Sequence, residues 1–222
     1  MLPVNFISQL SQKAYQTFGE PFVKTAHLQF LALQPNIENF INPLNKERDK
    51  ILDIGCGPGF LLEYLLQKGF KYLLGLDISD KAIRDATKRV PAHMLLRADF
   101  HQMNFNAREF SVVFAVNSLH YTSKSAFTKI LARINYITTP TAKVFLVLPQ
   151  GTGEQITEES YTDPDTNQSR QHAVYHGYYE KEELETILSQ VGFQITNIEN
   201  LSHPAFDKPL LIANVVKATT TP

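Results

Sequence analysis

The chain has 222 residues, 43% of them apolar and 19% charged, with a formal net charge of −1 and one cysteine, Cys56. That length fits one catalytic unit, since a single hydrophobic core serves about 50–250 residues, and the composition is far from the polar, highly charged signature of disorder. The near-neutral balance leaves no broad cationic field for a nucleic-acid backbone, and a lone cysteine excludes an intramolecular disulfide framework or a cysteine-built metal site.

No apolar run approaches the roughly 20 residues needed to cross a bilayer. Met1 to Leu10 lacks the basic start and apolar run of a secretory leader. The expected location is therefore the cytosol, with no membrane or nucleic-acid partner.

Before Ile51, the residues Phe6, Ile7, Leu10, Tyr15 and Phe18 make a partial amphipathic stripe broken at Pro21. This predicts two or three helices over residues 1–48, forming a cap on the same unit rather than a second domain. From Ile51 short apolar runs alternate with helix-period segments, the pattern of a mostly parallel sheet covered by helices on both faces. Strand one reads Ile51 to Ile54, and Leu61, Leu62, Leu65 and Leu66 then recur at helical spacing after a glycine-rich turn. Gly69 ends that helix, Tyr72 to Leu76 gives strand two, and Ser79 caps a helix bearing Ala82, Ile83 and Ala86.

Strand three is expected at Met94 to Ala98 and strand four at Ser111 to Val116. A helix carrying Phe127, Ile130, Leu131 and Ile134 leads to strand five at Lys143 to Leu148. Residues 149–178 are then polar, with Gly151, Gly153 and Pro164 and no sustained period, and read as a structureless lid on the substrate side. Leu184, Ile187, Leu188 and Val191 mark a helix from Glu180 to Val191 ended by Gly192, and strands at Phe193 to Glu199 and Leu210 to Lys217 close a domain spanning 49–222. The class is α/β, with seven expected strands.

The decisive stretch is Ile51-Leu52-Asp53-Ile54-Gly55-Cys56-Gly57-Pro58-Gly59, a strand entering a glycine turn at a helix start. Glycines there admit positive φ and close ligand approach, and the carboxyl end of the first strand is where open α/β sheets bind ligands. A dinucleotide fingerprint is G-x-G-x-x-G, whereas Gly55, Gly57 and Gly59 give G-x-G-x-G with Phe60 in the last slot, which weakens a reading as a nicotinamide-dependent oxidoreductase. Asp53 would repel a pyrophosphate and attract an ammonium group.

This string resembles the first motif of the class I S-adenosylmethionine-dependent methyltransferases, and the resemblance runs from about residue 49 to 217. It implies a Rossmann-like, mostly parallel sheet whose last strand is antiparallel, S-adenosylmethionine as methyl donor with S-adenosylhomocysteine as product, and a methyl acceptor. Asp77, in Leu76-Asp77-Ile78-Ser79 and 22 residues after Gly55, stands where the family accepts hydrogen bonds from the ribose hydroxyls, with Ile78 beside it. Asp99 stands where the family accepts from the adenine amino group, with Phe100 flanking the ring; otherwise Asp99 is a loop aspartate capping a turn. The segment Asn117-Ser118-Leu119-His120-Tyr121 occupies the place that borders the methionine part of the donor and faces the acceptor. It lacks the Asn/Asp-Pro-Pro-Tyr/Phe signature with which amino-methylating DNA enzymes grip a base, which with the neutral charge points to a small-molecule acceptor.

His120 is a candidate general base, or a histidine that packs beside the pocket. Tyr121 and Tyr178 are candidate acceptor contacts. Cys56 sits where a small side chain fits the turn, so packing is expected there and not a nucleophile. Tyr15 could close over the cationic sulfur or serve the amphipathic face. His172, His176 and His203 lack ligand spacing with nearby carboxylates, and no metal is expected. A non-catalytic protein that binds S-adenosylmethionine for regulation is the alternative reading from another class.

Overall fold

The computed structural model describes residues 4–162 and 169–218; the side chains of 4–5, 11, 14–21, 161–162 and 170 lie outside that description. A long helix α1 (Val4–Ile41) precedes β1 (Lys50–Ile54), α2 (Phe60–Gln67), β2 (Tyr72–Asp77), α3 (Asp80–Ala86) and β3 (Leu95–Arg97). Then come β4 (Phe110–Val116), α4 (Lys124–Ile137), β5 (Thr138–Pro149), β6 (Glu154–Thr162), β7 (Ser169–Gly177), α5 (Lys181–Gln190), β8 (Phe193–Leu201) and β9 (Leu210–Lys217).

Seven strands form one sheet in the order β3-β2-β1-β4-β5-β9-β8. Neighbours from β3 to β5 pair in parallel, and β9 runs antiparallel to both β5 and β8. The expected mostly parallel Rossmann-like sheet with an antiparallel last strand is what the chain builds. Strand order reverses beside β1, and a crevice opens at the carboxyl ends of β1 and β4, the usual ligand position in such sheets.

Successive side chains of a strand point to opposite faces, so each central strand feeds two apolar layers. Leu52, Val113, Ala115, Leu146 and Leu148 pack with Phe127, Leu131 and Ile134 of α4 and Leu184 and Leu188 of α5. Ile51, Val112, Phe114, Phe145 and Val147 pack on the other face with Leu61, Leu62 and Leu65 of α2 and Leu33, Ile37, Phe40 and Ile41 of α1. Local signals set the helix ends: Ser79 Oγ accepts from the Ala82 N–H at 3.3 Å to start α3, and Ser123 Oγ accepts from the Ala126 N–H at 3.3 Å to start α4.

Two expectations are corrected. The N-terminal region is a single helix of 38 residues that runs through both Pro21 and Pro35, not two or three helices. Each interior proline removes one helical hydrogen bond and costs about 3 kcal/mol, but burying each of Leu33, Ile37 and Ile41 against the sheet stabilises by about 1.5–3 kcal/mol, so packing outweighs the local break. Residues 149–178 are not structureless: β6 and β7 pair as an antiparallel hairpin from Glu154↔Gly177 to Thr162↔Ser169. Isolated hairpins are marginal in water, and this one leans on α1, where Ile7 and Leu10 pack with Tyr175 and Ala173 and the His172 ring bonds the Leu10 carbonyl at 2.9 Å.

Candidate functional site

The turn after β1 is shaped by hydrogen bonds to its neighbour strand. The Gly55 and Cys56 N–H groups both donate to the Leu76 carbonyl, at 2.8 and 3.0 Å, which folds the chain sharply across the end of β2. Gly55 has φ 73°, and a Cβ there would stand 2.4 Å from the Ser118 Cβ, so only glycine lets this turn lie against the end of β4. Gly57 has φ 52° and donates its N–H to Asp77 Oδ2 at 2.9 Å, while the Ser79 N–H donates to Asp77 Oδ1 at 2.8 Å. Two successive turns thereby fix one carboxylate. Burial raises the Asp77 pKa, and the N–H groups of Ser79, Gly57 and Ile78 offset part of that rise.

These turns form the floor of a cavity of about 680 Å³, within the roughly 300–1,000 Å³ range of small-molecule sites. Its walls come from the middle of α1 (Phe22, Gln29, Phe30), from the hairpin (Gln155, Thr157, Glu159, His176) and from the loop ahead of β9 (Phe206, Asp207, Lys208). Of the residues singled out in the sequence, Asp53, Gly55, Cys56, Gly57, Asp77, Ile78, Phe100, Asn117, His120, Tyr121 and Tyr178 all line it.

Others do not. Gly59 sits at the start of α2 with φ 84°, packed 3.1 Å from the Ala86 Cβ by the position its own Cβ would take. Asp99 is outside the wall: its Oδ1 accepts from the His101 backbone N–H at 2.9 Å and lies 2.6 Å from the His101 ring, whose far nitrogen meets Thr122 Oγ1 at 2.7 Å. The Tyr15 side chain lies outside the described residues.

Asp53 is 3% exposed, and its carboxyl group makes no hydrogen bond to the other described residues; burial, with the charge of Asp77 second, pushes its pKa up to about 8. Asn117 adopts φ 48° at the end of β4, and three side-chain atoms in this stretch, Asn117 Oδ1, Ser118 Oγ and His120 Nδ1, are buried without a hydrogen-bond partner among the described residues. Thr157 Oγ1, across the cavity on the hairpin, is likewise without one. Such atoms each forfeit about 1–3 kcal/mol unless something meets them, and four of them bordering one cavity mark where a polar ligand fits. Burial holds the His120 ring neutral, its pKa well below the usual histidine range, with the neighbouring His176 a second cause. Burial also raises the Cys56 thiol, which packs under Gly75 and is no nucleophile.

Sequence reasoning offered the stretch of residues 149–178 as a substrate-side lid, with the cluster of Tyr175, His176, Tyr178 and Tyr179 either lining the acceptor pocket or anchoring that lid, but it missed Gln155, Thr157 and Glu159. Gln155, Thr157 and Glu159 alternate along β6, and with Val174 and His176 of β7 they form one face, a period of two hidden because that face is polar. His176, set aside earlier for want of a nearby carboxylate, bonds Glu159 Oε1 through Nε2 at 3.0 Å, a pairing made across the hairpin and not along the chain.

Residues 51–141 match the family model described as a methyltransferase domain. Over 147 residues the chain is 28% identical to the human eEF1A lysine and N-terminal methyltransferase, which covers 64% of this chain but only 19% of that protein. The chain thus spans about a fifth of that relative's length. Among solved structures, the 1,6-didemethyltoxoflavin-N1-methyltransferase of Burkholderia thailandensis superposes with TM-score 0.72 at 14% identity, covering 98% of this chain and 92% of its own. An S-adenosylmethionine-dependent methyltransferase of Clostridium acetobutylicum gives TM-score 0.70 at 15% identity, covering 89% and 99%. The matched stretch runs from β1 through α4, whose carboxyl-end turns make the cavity floor, and the fold is the one these S-adenosylmethionine-dependent methyltransferase structures share.

Proposed function

We propose that this chain transfers the methyl group of S-adenosylmethionine to a small-molecule acceptor by in-line displacement. The observation that carries this reading is one cavity with the unpartnered Asp53 and the fixed Asp77 at one end and unpartnered polar atoms of Asn117, Ser118, His120 and Thr157 at the other. Its roof of α1 and hairpin suits a compact acceptor better than a protein or RNA segment. The Burkholderia neighbour, which nearly spans this chain, holds the small molecule 1,6-didemethyltoxoflavin and S-adenosylhomocysteine.

When bound, the donor supplies a methyl group on a cationic sulfur. Asp53 attracts the ammonium of its amino-acid part, and Asp77 accepts from the ribose hydroxyls with the lone pairs its backbone N–H donors leave free. Ile78 and Phe100, which line the cavity, flank the adenine. Asn117 borders the methionine part. His120, Tyr121 and Tyr178 bound the acceptor, with residues 149–178 as lid and the N-terminal helix as cap, excluding water. Alignment of acceptor, methyl and sulfur supplies most of the acceleration, since orienting two reactants removes on the order of 7–11 kcal/mol of barrier.

Calorimetric titration with S-adenosylmethionine tests the donor site. Asp77→Ala should weaken affinity by roughly 10- to 100-fold, the loss of hydrogen bonds to a charged group; unchanged affinity rejects the ribose assignment. Release of S-adenosylhomocysteine with members of a small-metabolite panel tests transfer, and tight donor binding with turnover on peptide or RNA alone would reject the small-molecule acceptor.

A further inference from the structure

The hairpin brings a carboxylate and an imidazole together inside the acceptor half of the cavity. Glu159 Oε1 lies 3.0 Å from His176 Nε2, and both side chains line the cavity. With Nε2–H donating to Glu159, the lone pair sits on Nδ1, which makes no hydrogen bond to another described residue. The His176 ring lies near parallel to two neighbours, His120 at 5.7 Å and 15° and Tyr178 at 6.0 Å and 21° between ring centres and planes. We infer that His176, oriented by Glu159, is the base that takes a proton from the acceptor during methyl transfer.

This rests on the methyl-transfer reading above and deepens it to acceptors whose reacting oxygen or nitrogen carries a proton on a flat ring, the shape that fits against the stacked His120, His176 and Tyr178. In the step, the acceptor O–H or N–H gives its proton to His176 Nδ1. The freed electron pair forms the new bond to the methyl carbon, the carbon–sulfur bond breaks, and its pair stays on sulfur as a neutral thioether. Glu159 stabilises the imidazolium until solvent removes the proton.

His120 is the worse candidate for this work because no carboxylate among the described residues bonds it and burial opposes its charging. The groups that face His176 are Glu159 from β6, His120 and Tyr121 from the turn after β4, and Tyr178 at the end of β7. Lys208 and Asp207 line the same cavity from the loop ahead of β9, with Lys208 Nζ 4.7 Å from the centre of the Tyr178 ring. α1 contributes the apolar Phe22 and the uncharged Gln29 to this wall, so among the described residues Glu159 is the carboxylate in hydrogen-bond contact with His176.

The test has two arms. In the first, the histidine ring signals of protein saturated with S-adenosylhomocysteine are followed by NMR against pH, in wild type and Glu159→Gln. The ring nitrogen shifts should place the hydrogen of the uncharged His176 ring on Nε2, facing Glu159, in the wild type; a ring that carries it on Nδ1 overturns the dyad whether or not any acceptor is known. In the second, S-adenosylhomocysteine release is measured with phenol, catechol and 4-nitrophenol. His176→Asn should lower turnover of phenol and catechol by about 10²- to 10⁴-fold and remove the acidic limb of the pH profile, with little loss for 4-nitrophenol, already ionised at mildly alkaline pH. If His120→Asn removes that limb and His176→Asn keeps it, the base is His120 and the proposal fails. Donor affinity, measured separately, shows whether a failure belongs to this step or to the underlying methyl-transfer reading.

Discussion

A carboxyl group buried without a hydrogen-bond partner and beside a second carboxylate ionises reluctantly, and Asp53 next to Asp77 does so only near pH 8. Because this folded-state pKa lies above the unfolded value of about 3.9, the group's cost to stability accumulates as pH rises from about 4 and is complete above about 8. A cationic ammonium reverses that balance. Binding of S-adenosylmethionine below pH 8 should therefore release a proton, and affinity should fall as pH drops from about 8, by up to tenfold per pH unit. Calorimetry in buffers of different ionisation enthalpy reads the proton directly, and Asp53→Asn should flatten the dependence. Gly55→Ala places a Cβ 2.4 Å from Ser118 at φ 73°, which should destabilise the protein by about 1–3 kcal/mol in thermal unfolding and weaken donor binding. Asp53, Gly55 and Asp77 were legible in the sequence because their spacing along one βαβ unit is also their spacing in space. The pairing of Glu159 with His176 was not, since a bond across 17 positions of a polar hairpin leaves no local pattern.

The elements differ in how far local propensity governs them. Gly69 after α2, Ser79 before α3 and Gly192 after α5 mark helix ends close to where the sequence predicted them, because apolar stripe and boundary residue agree. α1 disagrees with its own prolines. Pro35 is exposed in the helix interior, so Pro35→Ala should restore a hydrogen bond and raise stability by on the order of 1–3 kcal/mol, checked by denaturant unfolding. The hairpin draws its order from α1 through Ile7, Leu10 and Tyr175, whose hydroxyl donates to Glu154 at 2.5 Å. Ile7→Ala should accelerate amide exchange across β6 and β7 while leaving donor affinity unchanged; equal acceleration throughout the sheet would show that the hairpin is not a separately opening unit.

Over the whole molecule, α1 joins two parts that the sequence left separate: its first turns carry the hairpin, its last turns complete one apolar layer of the sheet, and its middle walls the cavity. Ile37, fully buried in that layer, should cost about 2–5 kcal/mol when cut to alanine, in a single transition that unfolds helix and sheet together. Two separate transitions would instead divide residues 1–48 from the rest. By itself the sequence determined the α/β class, the mostly parallel sheet and that Asp53, Gly55, Gly57 and Asp77 stand together at its carboxyl edge, because short-range periodicity and turn chemistry act within a few residues. Tertiary structure alone decided that α1 is continuous, that the polar stretch after β5 pairs as a hairpin, and that Glu159 meets His176, because each depends on burial or hydrogen bonds supplied by segments distant in the chain.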